Sequence, residues 1–269
     1  MRLSTKIQPD PTRVEPPRPG DSYVQSFARG LAVLRSFGAE APAQTLSDVA
    51  ARTGLTRAGA RRILHTLLAL GYVSSEGRLF RLTPKVLELG FAYLTSLPLW
   101  SQAQPVMESL VERLRQSSSA AVLDGDEVVY VLRVPAHKIM SINLGVGSRL
   151  PAHCSSMGRV LLAGLPNDML RERLANMTLT AYTRNTVVDR EQLFELLVQV
   201  RAQGWCLVRE ELEPGLVSMA APIRDLSGRV VAAINISGQA DKADAAYLLE
   251  VCLPQLLAAA SQINMLLGA

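Results

Sequence analysis

The chain has 269 residues, 48% of them hydrophobic and 19% charged, and a net charge of +4. It is too apolar and too modestly charged to be disordered, and long enough for two packed domains. Three cysteines, Cys154, Cys206 and Cys252, have neither disulfide-framework nor zinc-site spacing, and no apolar run approaches the roughly 20 residues that span a bilayer. The N-terminus has no apolar core behind its charges, so the expected home is a reducing cytoplasm, with no membrane, metal or cofactor.

The net charge hides an asymmetry. Through Lys85 there are 13 Lys+Arg against 6 Asp+Glu, and the remaining 184 residues hold 15 against 18. A basic small domain beside a slightly acidic larger one fits phosphate contact at one end and a different task at the other.

Residues 1–22 contain Pro9, Pro11, Pro16, Pro17, Pro19 and Gly20, which predicts an extended arm. Its Arg2, Lys6, Arg13 and Arg18 mark either a simple tail or nonspecific DNA contact. Residues 23–83 read as a winged helix-turn-helix, mostly α with a β-wing. A first helix over Ser26–Phe37 carries Phe27, Leu31, Leu34 and Phe37 at core spacing. Thr45–Leu70 then gives two short helices broken at Gly54, with Thr56 as the N-cap of the second. On that second helix Ala60, Ile63, Leu64 and Leu67 share one side, and Ala58, Arg61, Arg62 and His65 the other. Tyr72-Val73, Ser-Ser-Glu-Gly77 and Leu79–Leu82 form a hairpin, with Arg78 and Arg81 on or beside it. Alone, the helix pair is equally an ordinary helical hairpin with a solvated basic face. Three helices, a wing and aligned arginines favour DNA, with Arg61 and Arg62 in the major groove and Arg57 and the wing arginines positioning the domain.

Residues 84–98 read as a linker helix that Pro84 starts. Val86, Leu87, Leu89, Gly90, Phe91 and Leu94 leave it apolar over much of its circumference, which calls for a partner such as its twin in a dimer. Residues 99–269 alternate helix and strand. The end of a helix at Glu108–Gln116 precedes strands Ala120–Leu123 and Val128–Val134, joined at Asp124-Gly-Asp126. A second hairpin pairs Val217–Arg224 with Val230–Ser237. Helices are expected near Ser155–Ala163, Asp168–Asn176, Arg190–Gln203 and Ala243–Leu267, an α+β arrangement of helices on an antiparallel sheet.

Gly147-Ser-Arg-Leu-Pro151-Ala-His153-Cys-Ser-Ser-Met-Gly158-Arg-Val-Leu-Leu-Ala163 and the Ala221–Ser237 stretch, behind a winged helix and a linker helix, resemble the IclR family of bacterial transcriptional regulators from about Tyr23 onward. Leu87–Trp100, Ser119 and the Val-Leu-Asp-Gly125 run resemble the subgroup controlling protocatechuate, 4-hydroxybenzoate and β-ketoadipate catabolism. The resemblance implies a GAF-like effector-binding domain and a homodimer or dimer of dimers on promoter DNA. It further implies a small aromatic or dicarboxylic acid that changes DNA affinity or RNA polymerase contact, and an activator associated with the nucleoid. By matching positions, the implied pocket takes Ile139, Ile142, Leu150, Ser156, Met157, Ser218, Asn235 and Ser237.

His153 either contacts that ligand or holds a loop through its imidazole. Related members carry an Asp near Val208 and Arg209; Arg209 here either neutralises an acidic ligand or pairs with Glu210, Glu211 or solvent. Two other classes compete. Cys154, at a helix start that lowers a thiol pKa, suggests a redox-sensing regulator. His153 and Cys154 hold base and nucleophile types for a hydrolase, but adjacent residues seldom face one another, and neither a Gly-x-Ser-x-Gly elbow nor a zinc-binding pair accompanies them. A regulator rather than an enzyme is therefore expected.

Overall fold

A computed structural model describes residues 20, 22–96, 99–136, 144–239 and 246–267. The expected arm at 1–22, apart from Gly20 and Ser22, and the candidates Ile139 and Ile142 lie outside the described residues. The chain divides into two compact units, Met1–Tyr93 and Leu94–Ala269.

The first unit packs α1 (Gln25–Arg35), α2 (Leu46–Thr53) and α3 (Arg57–Ala69) around Val33, Phe37, Val49, Ala60, Leu64 and Leu67. Thr45 and Asp48 form a capping box at the start of α2, Gly54 ends it with φ 66°, and the Thr56 hydroxyl accepts from Gly59 N at 3.1 Å to start α3. A capping box nine residues before this left-handed glycine and a cap two residues after it fix the two helices and the turn between them. One expectation for α1 fails: Phe27 and Leu31 are 67% and 37% exposed, while Val33 is fully buried. The apolar arc of α1 is wider than one packing face, and the core takes the side holding Val33, Leu34 and Phe37.

The wing is a three-stranded sheet, ordered β1 (Gln44–Thr45), β3 (Leu79–Leu82), β2 (Val73–Glu76). Ser74, Ser75 and Glu76, read as turn, instead pair with Arg81, Phe80 and Leu79, and only Gly77 and Arg78 form the tip. A 3-10 turn at Pro84–Val86 leads into α4 (Leu87–Thr95), whose Leu87, Leu89, Phe91 and Tyr93 are exposed.

The second unit is an antiparallel six-stranded sheet in the order β6 (Arg149–Pro151), β5 (Glu127–Val134), β4 (Ser117–Asp124), β9 (Val230–Gln239), β8 (Leu216–Arg224), β7 (Cys206–Arg209). Helix α5 (Leu99–Leu114) and a π-helical turn, Tyr247–Cys252, running into α9 (Leu253–Leu267) cover one face, burying Trp100, Met107, Leu110, Leu256 and Ile263 against Met219 and Ile234. Helices α6 (Ser156–Ala163), α7 (Asn167–Asn176) and α8 (Arg190–Gln203) cover the other, where Met157, Leu162, Leu170, Leu193 and Leu197 meet Ala121, Ala220 and Ala233. Small residues on the central strands let α6 lie close to the sheet. Gly158 brings it closest: a Cβ there would stand 2.2 Å from the Ala152 carbonyl oxygen.

Candidate functional site

In the first unit, Arg57, Ala58, Arg61, Arg62 and His65 form the exposed side of α3, opposite buried Ala60, Leu64 and Leu67. Arg61 Nε lies 3.5 Å from His65 Nε2, and Leu46 and Thr66 border the same surface. None of the three arginines is in an ion pair among the described residues, so their charge is available to an outside anion. Arg78 stands at the wing tip, and Arg81, on β3, alternates with the inward Phe80 and Leu82. The structure thus gathers five of the seven predicted DNA-contact residues on one helix face and puts the other two on the wing.

In the second unit, a cleft of about 560 Å³, including its open mouth, lies between the sheet and the start of α6. Leu150, Ser156, Met157, Ser218, Asn235 and Ser237 line it, as expected from matching positions. Ser155 is the N-cap of α6: its hydroxyl accepts from Gly158 N and donates to the Pro151 carbonyl at 2.9 Å. Ser156 therefore falls inside the first turn, where the helix N–H groups favour an anion. Ser218 donates to Ser156 Oγ at 2.8 Å, which leaves the Ser156 proton for a further acceptor. Asn235 Oδ1 accepts from Ser119 N at 2.9 Å, and its amide nitrogen has no partner among the described residues.

Two candidates lie elsewhere. His153 is buried outside the lining and its Nε2 donates to the Thr180 carbonyl at 3.0 Å, the loop-holding alternative. Arg209 belongs to the opposite face of β7, because alternation turns Val208, its neighbour, into the cleft. Val208 therefore supplies apolar wall from that segment.

Sequence reasoning missed Tyr130, Arg133, Leu144, Glu211, Leu212 and Leu216. Burial pushes the Tyr130 phenol up to about 12, although the Arg133 charge works against it, so Tyr130 offers the cleft a neutral hydroxyl. Arg133, on β5, is in no ion pair among the described residues. Glu211 is buried and salt-bridged to buried Arg159 at 2.6 Å. Its Oε2 also accepts from Val187 N at 3.1 Å, and Arg159 Nε donates to the His153 carbonyl at 2.8 Å. This buried network ties the loop before α6, the 180–187 loop and the segment after β7 into one wall of the cleft.

The alternative chemistries do not survive this geometry. Cys154 lines the cleft but is fully buried, and burial, reinforced by Glu211, pushes its thiol up to about 12 rather than down. It precedes the cap residue, so desolvation outweighs the helix terminus. The His153 imidazole is held by Thr180 and does not activate it. Burial holds the His153 pKa below its ordinary 6.5. As pH falls through that range the unfolded chain takes up a proton that the native chain resists, so stability should drop. His153→Gln should flatten that part of a stability–pH curve, and an unchanged slope there would contradict the assignment.

A model described as the IclR helix-turn-helix domain matches residues 26–77, and one described as the C-terminal domain of bacterial transcriptional regulator IclR matches residues 91–265. The Pca regulon regulatory protein of Pseudomonas putida is 45% identical over 242 residues, covering 90% of this chain and 83% of that protein. The p-hydroxybenzoate hydroxylase transcriptional activator of Acinetobacter baylyi is 34% identical over 249 residues, covering 91% and 92%. A crystal structure of an IclR homolog from Microbacterium hydrocarbonoxydans complexed with 4-hydroxybenzoate aligns with a TM-score of 0.79 at 30% identity, covering 90% of this chain and 98% of that one. With an exposed basic recognition helix in one unit, a donor-lined cleft in the other, and both domain models matched over most of its length, the chain belongs to the IclR family of bacterial transcriptional regulators.

Proposed function

We propose that this regulator activates genes of aromatic-acid breakdown in response to a small aromatic or dicarboxylic acid bound in the cleft. The observation that carries the reading is the cleft itself. Hydroxyl and amide donors from Ser156, Ser218, Asn235 and Ser237, together with Arg133, which has no ion-pair partner among the described residues, face walls of Leu144, Leu150, Met157 and Val208. Oriented donors and one cation hold a carboxylate, and the apolar walls take a ring. Named relatives that act on Pca and p-hydroxybenzoate hydroxylase genes, and a 4-hydroxybenzoate complex of a homolog, support the same class of ligand.

In this reading residues 1–22 are an arm, 23–83 the DNA-binding domain, 84–98 the linker and 99–269 the effector-binding domain, acting in the cytoplasm at the nucleoid. The chain works as a homodimer or dimer of dimers. Exposed Phe27 and Leu31 on α1, and Leu87, Leu89, Phe91 and Tyr93 on α4, form apolar surface that a second copy would cover. Two copies of α3 then meet successive half-sites one DNA turn apart, and the bound dimer contacts RNA polymerase.

Selecting sheared host DNA with the purified protein, with and without 4-hydroxybenzoate, protocatechuate and β-ketoadipate, tests this directly. Enrichment of a few promoters beside aromatic-degradation genes is expected; uniform recovery would refute it. On the recovered operator, Arg61→Ala should cost about 1–3 kcal/mol, roughly five- to 150-fold in affinity, and relax base preference. Arg78→Ala should weaken all sequences alike and flatten the salt dependence. Unchanged binding by Arg61→Ala would mean that another face reads the DNA.

A further inference from the structure

The recognition helix ends in a Schellman cap. Gly71 has φ 80°, its N–H donates to the Leu68 carbonyl at 3.1 Å, and the Tyr72 N–H donates to the Leu67 carbonyl at 2.9 Å. The next three carbonyls, those of Leu70, Gly71 and Tyr72, lie beyond what the cap satisfies. All three are taken by one short segment, where the wing becomes the linker. Lys85 Nζ donates to the Leu70 carbonyl at 3.0 Å, Thr83 Oγ1 to the Gly71 carbonyl at 2.6 Å, and Thr83 N to the Tyr72 carbonyl at 3.0 Å.

Side chains extend the attachment. The Lys85 ammonium lies 5.3 Å from the centre of the Tyr72 ring, within reach of a cation–π contact. Thr83 Oγ1 also accepts from Lys85 N at 3.3 Å, and Leu89, four residues on, borders the same apolar groove as Leu70 and Tyr72. Pro84, between the two residues that bond the helix end, has a fixed φ. A chain free to swing at this junction would leave the Leu70 and Gly71 carbonyls to water. Instead the end of α3 and the start of the linker are one body, and the first unit holds the chain through Tyr93.

Resting on the effector reading above, we propose that Thr83 and Lys85 clamp the linker to the recognition helix as a single lever. A movement of α4 imposed by acid binding then turns α3 instead of being lost at the wing–linker junction. Lys85 is the positioning residue, a cation at the helix C-terminus where the dipole of α3 favours it. It is exposed, so its bond adds modestly to stability. Its loss leaves the core of the first unit intact and removes the correlation between the two helices.

Operator affinity of the full-length protein, measured with and without saturating 4-hydroxybenzoate, gives the coupling as a ratio of two Kd values, expected to be about fivefold or more in the wild type. The double variant Thr83→Val/Lys85→Met keeps the shape of both side chains and removes the hydroxyl and ammonium donors. It should bring the ratio to within about twofold of one, with affinity for the acid in the absence of DNA unchanged. Lys85→Arg, which keeps a charged donor, should hold the ratio within about twofold of the wild type. A lysine that only touched phosphate, or only stiffened the fold, would alter both Kd values alike and leave their ratio as it was. If the double variant does not fold, Lys85→Met alone, expected to lower the ratio about twofold or more, decides the matter. A wild-type ratio in the folded variant would overturn the clamp and keep the effector reading. A wild type whose operator affinity ignores the acid would sink the effector reading itself, and the clamp's role with it.

Discussion

Arg159→Met is expected to destabilise the second unit by about 3–5 kcal/mol, because it leaves Glu211 buried without its cation. The pair is enclosed, at 5% and 9% side-chain exposure, and holds together three segments that meet nowhere else in sequence. Arg159 reaches the His153 carbonyl from α6. Glu211 answers the Val187 amide, and Thr186 Oγ1 donates to the Glu211 carbonyl at 2.6 Å. Removing the guanidinium therefore strips a hydrogen bond from the loop before α6 as well as a charge from Glu211. The measurement is thermal or denaturant unfolding of the full chain followed by a probe in the second unit. Truncating Arg149, whose partners Asp124 and Glu127 are exposed, should change stability by less than 1 kcal/mol. Equal effects of the two variants would mean that the buried network does not hold the cleft wall.

Arg133→Met should move the response to acid to about ten- to a hundredfold higher acid concentration while leaving DNA binding without acid unchanged. The methionine keeps much of the unbranched stem and removes the one cleft cation whose charge is unmatched among the described residues. Losing a charged hydrogen bond to a carboxylate costs about 1.5–3 kcal/mol, roughly ten- to a hundredfold in Kd. An acid titration of operator affinity should shift by that factor for every carboxylate tested. A variant that responds to the same concentrations as the wild type would place the carboxylate at the α6 N-terminus instead.

Much of the first unit was legible because its signals are local. The Thr45 and Asp48 box, Gly54 and Thr56 lie within twelve residues and fix both helices, and the period of α3 separates Leu64 from Arg61 without knowledge of the rest. What α1 would bury was not legible, since Phe27 and Val33 both belong to one wide apolar arc and only the tertiary core chooses between them. In the second unit the two hairpins read clearly. Edge strands β6 and β7, of three and four residues, are too short for a period to show. Pro105, inside α5, hid the first half of that helix.

The cleft divides in the same way. Six lining residues came from positions matched to related chains, but Arg133 and Glu211 reach it through strand order, which local pattern does not contain. Arg133 did leave a trace, as the one cation in the strand Val128–Val134. Glu211 entered the sequence reading only as a partner for Arg209, and nothing near it in sequence announces Arg159, 52 residues away. Cys154 misled because a helix start suggested a lowered thiol pKa, whereas burial governs it.

The central claim is that acid binding in the cleft and operator binding by α3 are coupled. The most direct test is operator affinity of the full-length protein, at one fixed salt concentration, across a titration of 4-hydroxybenzoate. A saturable change of about fivefold or more, matched by an equal change in affinity for the acid when operator is present, is predicted. Operator affinity that stays constant through saturation of the cleft would contradict the account.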